Sequence, residues 1–421
     1  MIAALVFFGL LLLGMPIVGV LLAGALVFMA SHDLHVLFES VPIQWWGALE
    51  VHGLLAIPLF LLVGELMNQA GLTRRLMAMA QALVGGVRGG LAYANLIANA
   101  LAASILGSAV AQIGVMGNVM VPTMERAGYR REFAAALTVS AGLLGPIIPP
   151  SMLMIIYGVV AAQPIGPLFI AGVVPGLLLV LALALVIFLH GALGQGLPEA
   201  RASVRGARVW LQGLLPASIP VLVIVGIALG VMTPTESGAV AALLALALGL
   251  YYRELRLRDL GRILVHVATS TATITGLIAA AAVLGWALTF EGVPDRLVAL
   301  LQLWARTPLV FLLLVIALLL VLGMFLESIS VLIVIVPLLM PLAQGLGVDP
   351  IHFGVVCTIA TVIGLVTPPV GPGLYVAMTQ TDLRMGALFR ATVPFLLATI
   401  AVLVAVAALP QLSTWLPSLM R

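Results

Sequence analysis

Two similar stretches decide the fold, Gly145-Pro146-Ile147-Ile148-Pro149-Pro150-Ser151 and Gly364-Leu365-Val366-Thr367-Pro368-Pro369-Val370-Gly371. Each lies near the middle of an apolar segment, residues 134–160 and residues 353–380. Because proline has no N–H and clashes with the preceding turn, a Pro-Pro pair breaks a helix into two halves. The backbone groups that the break frees need partners, so such a loop is tolerated in a membrane only where it faces protein or water.

The composition around these stretches is that of a polytopic membrane protein. Of 421 residues, 63% are hydrophobic and only 8% are charged, whereas an ordinary soluble domain has about 25% charged residues. The single cysteine, Cys357, excludes an internal disulfide. The net charge of +3 is too small and too dispersed for a nucleic-acid surface. We therefore predict an all-α chain that crosses a bilayer several times.

Two further apolar segments, residues 91–124 and residues 308–340, are too long for one crossing, which takes about 20 residues. Both are interrupted near the middle, the first at Leu106-Gly107-Ser108-Ala109 and the second at Leu326-Glu327-Ser328. Each half is too short to cross on its own. We therefore predict two re-entrant hairpins whose tips lie near the centre of the membrane.

The second half of the chain repeats these features at a nearly constant offset. Gly64 corresponds to Gly285, Ser108 to Ser328, and Pro149-Pro150 to Pro368-Pro369, in the same order and with almost the same spacing. A register that is kept over so long a stretch with few gaps predicts an internal structural repeat.

The arginines predict the orientation of the repeats. If residues 31–51 lie outside, 15 of the 18 arginines fall in loops on the opposite side, which the positive-inside rule assigns to the cytoplasm. Five crossings then separate the two hairpins, and an odd number makes the repeats inverted. Whether residues 2–14 cross separately stays open, because Pro16 is also compatible with one kinked helix.

Inverted repeats with paired hairpins and broken helices predict a secondary transporter. Half-helix N-termini carry partial positive charge for an anion, and unwound carbonyls supply oxygen ligands for a small cation. The sequence has no Walker, HEXXH or GxSxG motif, so we predict that it is not an enzyme. A gated channel is the alternative from another functional class.

A family resemblance rests on five stretches: Gly107-Ser108 with Pro122, residues 145–158, Thr233-Pro234-Thr235-Glu236, Gly323-Met324-Phe325-Leu326-Glu327-Ser328, and residues 364–371. They resemble the large membrane subunit of TRAP (tripartite ATP-independent periplasmic) transporters, and the resemblance covers nearly the whole chain. It implies an elevator-type, sodium-coupled importer of an organic acid, such as a C4-dicarboxylate or sialic acid, in the bacterial inner membrane. A self-contained divalent-anion/sodium symporter or sodium/proton antiporter of the same architecture is the alternative.

The resemblance also implies partners and a domain organisation. The implied partners are a periplasmic substrate-binding protein and a small four-helix membrane subunit. We expect scaffold helices at residues 1–70 and 213–290, arms at 71–90 and 291–307, transport-domain hairpins with broken helices at 91–165 and 308–385, a helix with a cytoplasmic linker at 166–212, and a C-terminal helix at 386–421.

At least two sodium sites and one substrate site follow from the same resemblance. The implied first sodium site contains Gly107, Ser108, Gly145 and Pro146, and the second contains Glu327, Ser328, Gly364 and Thr367. The implied substrate contacts, between the tips, are Ser108, Asn99, Pro150, Ser151, Ser328, Pro369 and Gly371. The tips depart from the family pattern at Leu106, Ala109, Gln112 and Glu327-Ser328-Ile329. Two hydroxyls are thereby missing from the tips, and backbone carbonyls can take their place as ligands.

Some polar positions have structural as well as functional interpretations. Glu327 either binds a cation or carries a proton, or else it caps a half-helix. Glu236 follows Pro234 in a first helical turn, where a carboxylate cap is the favoured interpretation. Asn95 and Asn99 share a helix face at i, i+4, which favours bonding between helices over lining of the substrate path.

Overall fold

The computed structural model describes residues 2–84, 86–192, 198, 207–293, 296 and 307–420. Over these ranges the chain forms helices, turns and loops, with no strand. The described helices are α1 (Ile2–Leu12), α2 (Ile17–Ser31), α3 (Val41–Leu49), α4 (Ala56–Gln69), α5 (Leu72–Val84), α6 (Gly90–Leu106), α7 (Ala109–Arg126), α8 (Arg131–Gly142), α9 (Met152–Val160), α10 (Ile165–Ala192), α11 (Ala207–Ala228), α12 (Pro234–Tyr251), α13 (Leu260–Phe290), α14 (Pro308–Gly323), α15 (Ser328–Gly345), α16 (Pro350–Gly364), α17 (Pro372–Thr381), α18 (Met385–Ala408) and α19 (Gln411–Ser418). Within the described ranges, seven helical segments are long and apolar enough to cross a membrane.

The breaks in the two long apolar segments fall where the sequence predicts them. Helix α6 ends at Leu106 and α7 begins at Ala109. Helix α14 ends at Gly323 and α15 begins at Ser328. Both pairs are therefore helix–turn–helix hairpins with short tips.

The proline-rich stretches interrupt the other two segments as predicted. The loop between α8 and α9 spans residues 143–151, and the loop between α16 and α17 spans residues 365–371. Helices α8 and α16 are buried on every side from residue 133 to 142 and from 352 to 364. A helix that is apolar all round belongs in a protein interior, so these helices hold both loops deep in the fold.

The helix starts keep the offset of the sequence repeat. Helix α7 begins at Ala109, and its counterpart α15 begins at Ser328. The same interval along the chain separates the start of α8 at Arg131 from the start of α16 at Pro350. The inverted orientation depends on the sides of a membrane and stays a prediction from the arginine distribution.

Residues 2–12 form a separate helix that folds back on α2. A Cβ on Gly24 would lie 3.3 Å from Cδ2 of Phe7. In one continuous helix these residues would be about 26 Å apart, at 1.5 Å per residue. The region before Pro16 is therefore a helical hairpin with α2, and a single kinked helix is excluded.

The first predicted arm contains a packed amphipathic helix, α5. Its buried face includes Leu72, Leu76 and Met79 and lies against α6 and α11. At the edge of this face, Arg75 donates to Glu254 at 3.2 Å and lies 3.8 Å from the ring centroid of Tyr252. Most of the second predicted arm, residues 291–307, lies outside the described residues.

The region predicted as one C-terminal helix is divided in the structure. The segment predicted at 386–421 contains two helices, α18 and α19, because Pro410 has no N–H to continue the first. The scaffold region predicted at 213–290 ends with α13, which is one helix of 31 residues from Leu260 to Phe290. No proline interrupts this helix.

Candidate functional site

Both hairpin tips line one cavity of about 340 Å³. A volume of this size is in the range of small-ligand sites, about 300–1,000 Å³. The predicted site residues on its wall are Gly107, Ser108, Pro146, Pro150, Glu327 and Ser328. The cavity therefore brings together both tips and the first proline loop, as the sequence analysis expects for a site between the tips.

The first tip is shaped by Gly107 and Ser108. Gly107 has a φ of +60°, a conformation that glycine adopts without the strain of a side chain. Ser108 caps α7, and its Oγ accepts a hydrogen bond from the N–H of Ala111 at 3.5 Å. The start of α7 therefore faces the cavity with its partial positive charge.

The second tip places an acid and an unpaired hydroxyl at the start of α15. Glu327 is the N-cap residue, but its carboxylate makes no capping hydrogen bond. Its accessible surface faces the cavity. The Oγ of Ser328 is buried and has no hydrogen-bond partner among the described residues. Because a buried, unpaired hydroxyl costs free energy, this atom is a candidate ligand for something the tip binds.

Close backbone contact joins the second hairpin to the second broken helix. A Cβ on Gly364 would lie 2.7 Å from the Cα of Gly323, so only glycine fits at this position. We call this contact between Gly323 and Gly364 the seam. The N–H of Gly371 donates to the carbonyl of Met324 at 3.0 Å. The hairpin and the loop after Gly364 are therefore held as one unit.

Several predicted site residues lie away from the cavity wall in this structure: Asn99, Gly145, Ser151, Gly364, Thr367, Pro369 and Gly371. Ser151 caps α9 by accepting from the N–H of Met154 at 3.2 Å, and its hydroxyl donates to the carbonyl of Pro146. The hydroxyl of Thr367 donates to the carbonyl of Ile363 at 3.1 Å. Their hydroxyls thus serve the loops themselves, and from the second loop only Leu365 reaches the wall.

Asn99 belongs to a buried polar network and not to the cavity wall. Its Nδ2 donates to Oδ1 of Asn95 at 2.8 Å, and Asn95 Nδ2 donates to the hydroxyl of Thr138 at 2.7 Å. Gln112 Nε2 donates to Oδ1 and to the carbonyl of Asn99 at 3.0 and 2.8 Å. The amide of Asn99 thus holds the two helices of the hairpin and α8 together, and its contact with substrate stays a prediction.

Gln112 is a candidate that sequence reasoning noted only as a departure from a family pattern. Its Oε1 is buried without a partner among the described residues. A Cβ on residue 145 would lie 2.6 Å from this oxygen, so Gly145 keeps the space beside it open. Together, Gln112 Oε1 and Ser328 Oγ give each hairpin one unpaired oxygen atom near its tip.

The opposite wall of the cavity carries polar residues that the sequence analysis missed as a group. They are Glu65 and Asn68 of α4, and His266 and Ser270 of α13. His266 Nε2 lies 3.9 Å from Oε2 of Glu65. Glu65 and Asn68 are spaced i, i+3, and His266 and Ser270 are spaced i, i+4, so each pair lies on one helix face. This spacing was the signal in the sequence that could have indicated two polar faces. Only the folded structure shows that the two faces meet.

Glu236 is a helix cap, as its position predicts. Its Oε2 accepts from the N–H of Thr233 at 2.7 Å, and its own N–H donates to the hydroxyl of Thr233 at 3.2 Å. This reciprocal pair is a capping box at the start of α12. The structural interpretation of this carboxylate is confirmed.

The donor set at the tips is one of neutral oxygens and a single carboxylate. Among the described residues, no three His, Cys, Asp or Glu side chains form a group that could hold a metal ion. Hydroxyl, amide and backbone oxygens suit a hard cation. The starts of α7 and α15 suit an anion.

Comparison with known proteins decides the family. A family model described as "Tripartite ATP-independent periplasmic transporter, DctM component" matches residues 4–412. The chain belongs to this TRAP transporter family. The resemblance found in the tips and proline loops is thereby confirmed over nearly the whole length.

Two relatives of the chain are large permease proteins of TRAP transporters. The sialic acid TRAP transporter large permease protein SiaM of Vibrio cholerae is 38% identical over 98% of this chain and 96% of that protein. The C4-dicarboxylate TRAP transporter large permease protein DctM of Pseudomonas aeruginosa is 37% identical over 94% of this chain and 93% of that protein. Both are permeases, so this chain is a transporter subunit and not an enzyme.

A solved structure shares the fold. The Alcanivorax borkumensis YdaH transporter, whose crystal structure was described as having an unusual topology, matches with a TM-score of 0.68. The match covers 96% of this chain and 97% of that chain at 15% identity, and it bears on the fold alone. With its apolar spans, membership of the TRAP family makes this chain a multi-pass protein of the bacterial inner membrane.

Proposed function

We propose that this chain imports an organic acid by sodium-coupled transport, through elevator movement of the unit that carries the two hairpins. The observation that carries this proposal is the pairing of the two tips at one cavity. Each hairpin brings an unpaired buried oxygen near its tip, Gln112 Oε1 in the first and Ser328 Oγ in the second. Groups that are costly to bury unpaired are expected where a ligand completes them.

Sodium fits these oxygens because it is a hard cation that takes hydroxyl, amide and carbonyl ligands. In the first repeat, Gln112 with the backbone of Gly107 and Gly145 would hold one ion. In the second repeat, Ser328 with Glu327 would hold another. Glu327 costs about 2.5–3.5 kcal/mol in a membrane interior, and a bound cation offsets that cost.

A carboxylate substrate fits the electrostatics of the cavity. Among the described residues, no arginine lines the wall. The partial positive charge there comes from the starts of α7 and α15 at Ser108 and Glu327. A cation bound beside Glu327 adds to this charge, which gives sodium a direct effect on anion affinity. The sialic acid and C4-dicarboxylate named for the two relatives are both carboxylates.

Two partners complete the proposed transporter. The family description names a tripartite system, and both relatives are called the large permease protein. We therefore propose a small membrane subunit beside this chain and a periplasmic binding protein that delivers the substrate.

Uptake into proteoliposomes tests the proposal. The chain is reconstituted with its small subunit, and a labelled carboxylate is supplied on its binding protein, with an inward sodium gradient or an equal potassium gradient. We expect accumulation only with sodium. Equal uptake under both gradients would refute sodium coupling, and uptake without the binding protein would favour the self-contained symporter.

Matched variants locate the coupling. Glu327→Gln keeps the size of the side chain but removes its charge, so we expect the sodium concentration for half-maximal uptake to rise at least tenfold. Glu236→Gln serves as the control, because that carboxylate is exposed and caps α12. Unchanged sodium dependence in Glu327→Gln would remove this residue from the proposed ion site.

A further inference from the structure

A second cavity, of about 610 Å³, lies where α8 begins, α10 ends and α18 begins. We call it the basic crevice, and define it by Arg130, His190 and Arg390 together with the apolar Phe133, Leu189 and Phe395. It shares no lining residue with the cavity between the hairpin tips. It is therefore a cavity distinct from the proposed transport site.

The two guanidinium groups of the crevice are only weakly neutralised. Arg130 Nε lies 3.8 Å from Oε2 of Glu132, and the Arg130 side chain is 80% exposed. Arg390 Nε donates to the carbonyl of Gly386 at 3.0 Å, a bond that orients the group without cancelling its charge. Both contacts use Nε, so the terminal nitrogens remain for an oxyanion, which arginine binds in bidentate fashion.

Apart from the carboxylate of Glu132, the remainder of the wall is apolar and partly open to the surroundings. The ring of Phe133 stacks on His190 at 4.4 Å between centroids and lies 6.0 Å from Phe395. Leu189 is 48% exposed. Basic groups beside an exposed apolar wall form an amphipathic site, which suits a ligand with an anionic head and a hydrocarbon tail.

The level of the crevice in the membrane agrees with this chemistry. Arg130 directly precedes α8 and Arg390 lies near the start of α18, both on the side that the arginine distribution assigns to the cytoplasm. Basic pockets between transmembrane helices on this side bind lipid head groups. We propose that the basic crevice binds an anionic phospholipid of the inner leaflet, with its phosphate between Arg130 and Arg390 and its acyl chain along Leu189 and Phe395.

Lipid binding to the purified complex tests this inference. Delipidated protein is titrated with phosphatidylglycerol, phosphatidylcholine or inorganic phosphate, and native mass spectrometry measures the bound fraction. The variant R130Q/R390Q is expected to bind phosphatidylglycerol about 30-fold more weakly, since each arginine near an anionic lipid is worth roughly fivefold. Phosphatidylcholine and inorganic phosphate are expected to bind much more weakly than phosphatidylglycerol to the unaltered protein.

The control variant is R258Q/R262Q, which removes two exposed arginines on the same predicted side but outside the crevice. It is expected to change phosphatidylglycerol affinity by less than twofold. A third variant, Leu189→Gln, alters only the apolar wall and keeps the test valid if the double arginine variant misfolds. It should weaken phosphatidylglycerol binding without affecting inorganic phosphate.

Three results would overturn the inference. The first is equal loss of affinity in the crevice and control variants. The second is equal affinity for phosphatidylglycerol and phosphatidylcholine. The third is binding of inorganic phosphate as tightly as the lipid, which would assign the crevice to a soluble anion.

Discussion

Replacing Ser328 with alanine tests whether its hydroxyl stabilises the fold or binds a ligand. In the unaltered protein this Oγ is buried, with no partner among the described residues. A buried unpaired polar group costs about 1–3 kcal/mol. We therefore expect Ser328→Ala to raise the free energy of unfolding by about 1 kcal/mol when sodium is absent.

The matched control is Ser151→Ala, at the start of α9. There the hydroxyl both accepts from Met154 and donates to Pro146. Loss of a helix-capping serine costs about 1 kcal/mol. The two serine-to-alanine changes are thus expected to shift stability in opposite directions, by about 2 kcal/mol in total.

Sodium is expected to remove the stability advantage of Ser328→Ala over the unaltered protein. A ligand at 100 times its Kd stabilises the native state by about 2.7 kcal/mol. If the loss of one oxygen ligand weakens sodium binding tenfold, the same sodium concentration stabilises Ser328→Ala by only about 1.4 kcal/mol. The net gain seen without sodium should therefore vanish when sodium is added.

Thermal unfolding of the purified protein measures both effects, with sodium chloride and choline chloride at equal ionic strength. The reasoning fails if Ser328→Ala is destabilised without sodium to the same extent as Ser151→Ala. It fails equally if sodium stabilises Ser328→Ala as much as the unaltered protein. Either result would mean that the hydroxyl of Ser328 has a structural partner and is no ion ligand.

Three further predictions test the contact between Gly323 and Gly364, the amide network and the cap of α12. Gly364→Ala should lower the free energy of unfolding by about 1–3 kcal/mol, because the added methyl group overpacks against Gly323. The control Gly285→Ala has open space around it and should raise the free energy of unfolding by about 0.5–1 kcal/mol. Equal effects of the two changes in thermal unfolding would contradict the close contact of Gly323 with Gly364. Gln112→Leu removes two hydrogen bonds to Asn99 and should cost about 1–3 kcal/mol in the same assay, and full stability would disprove the network. Glu236→Ala should cost about 1 kcal/mol and leave the KM of uptake unchanged, whereas a raised KM would place this carboxylate on the substrate path.

The helix breaks could be predicted because their causes are local. The pair Pro149-Pro150 cannot continue a helix wherever it lies in the fold, since proline has no N–H. The tip at Gly107 follows from one residue that adopts positive φ and a serine that caps the next helix. The repeat adds a second Pro-Pro pair, and the correspondence of Ser328 to Ser108 predicts the second tip.

The membership of the cavity wall could not be predicted, because it depends on contacts between distant parts of the chain. Glu65 and His266 belong to different halves of the sequence and meet only where α4 and α13 pack at the cavity. Asn99 has the same polar side chain whether it faces a cavity or a neighbouring amide, and only the position of Gln112 decides between them. Residues chosen by resemblance alone therefore included several that support the loops.

The seam between Gly323 and Gly364 restricts how the cavity opens. With two α-carbons in direct contact and the bond from Gly371 to Met324 beside them, the second hairpin has no side-chain layer on which to pivot. If this hairpin moved away alone to open the cavity, the main-chain contact between Gly323 and Gly364 would have to break. Exposure of the cavity to either side of the membrane is therefore expected along its other wall, where α4 and α13 face the tips and side chains can slide past one another.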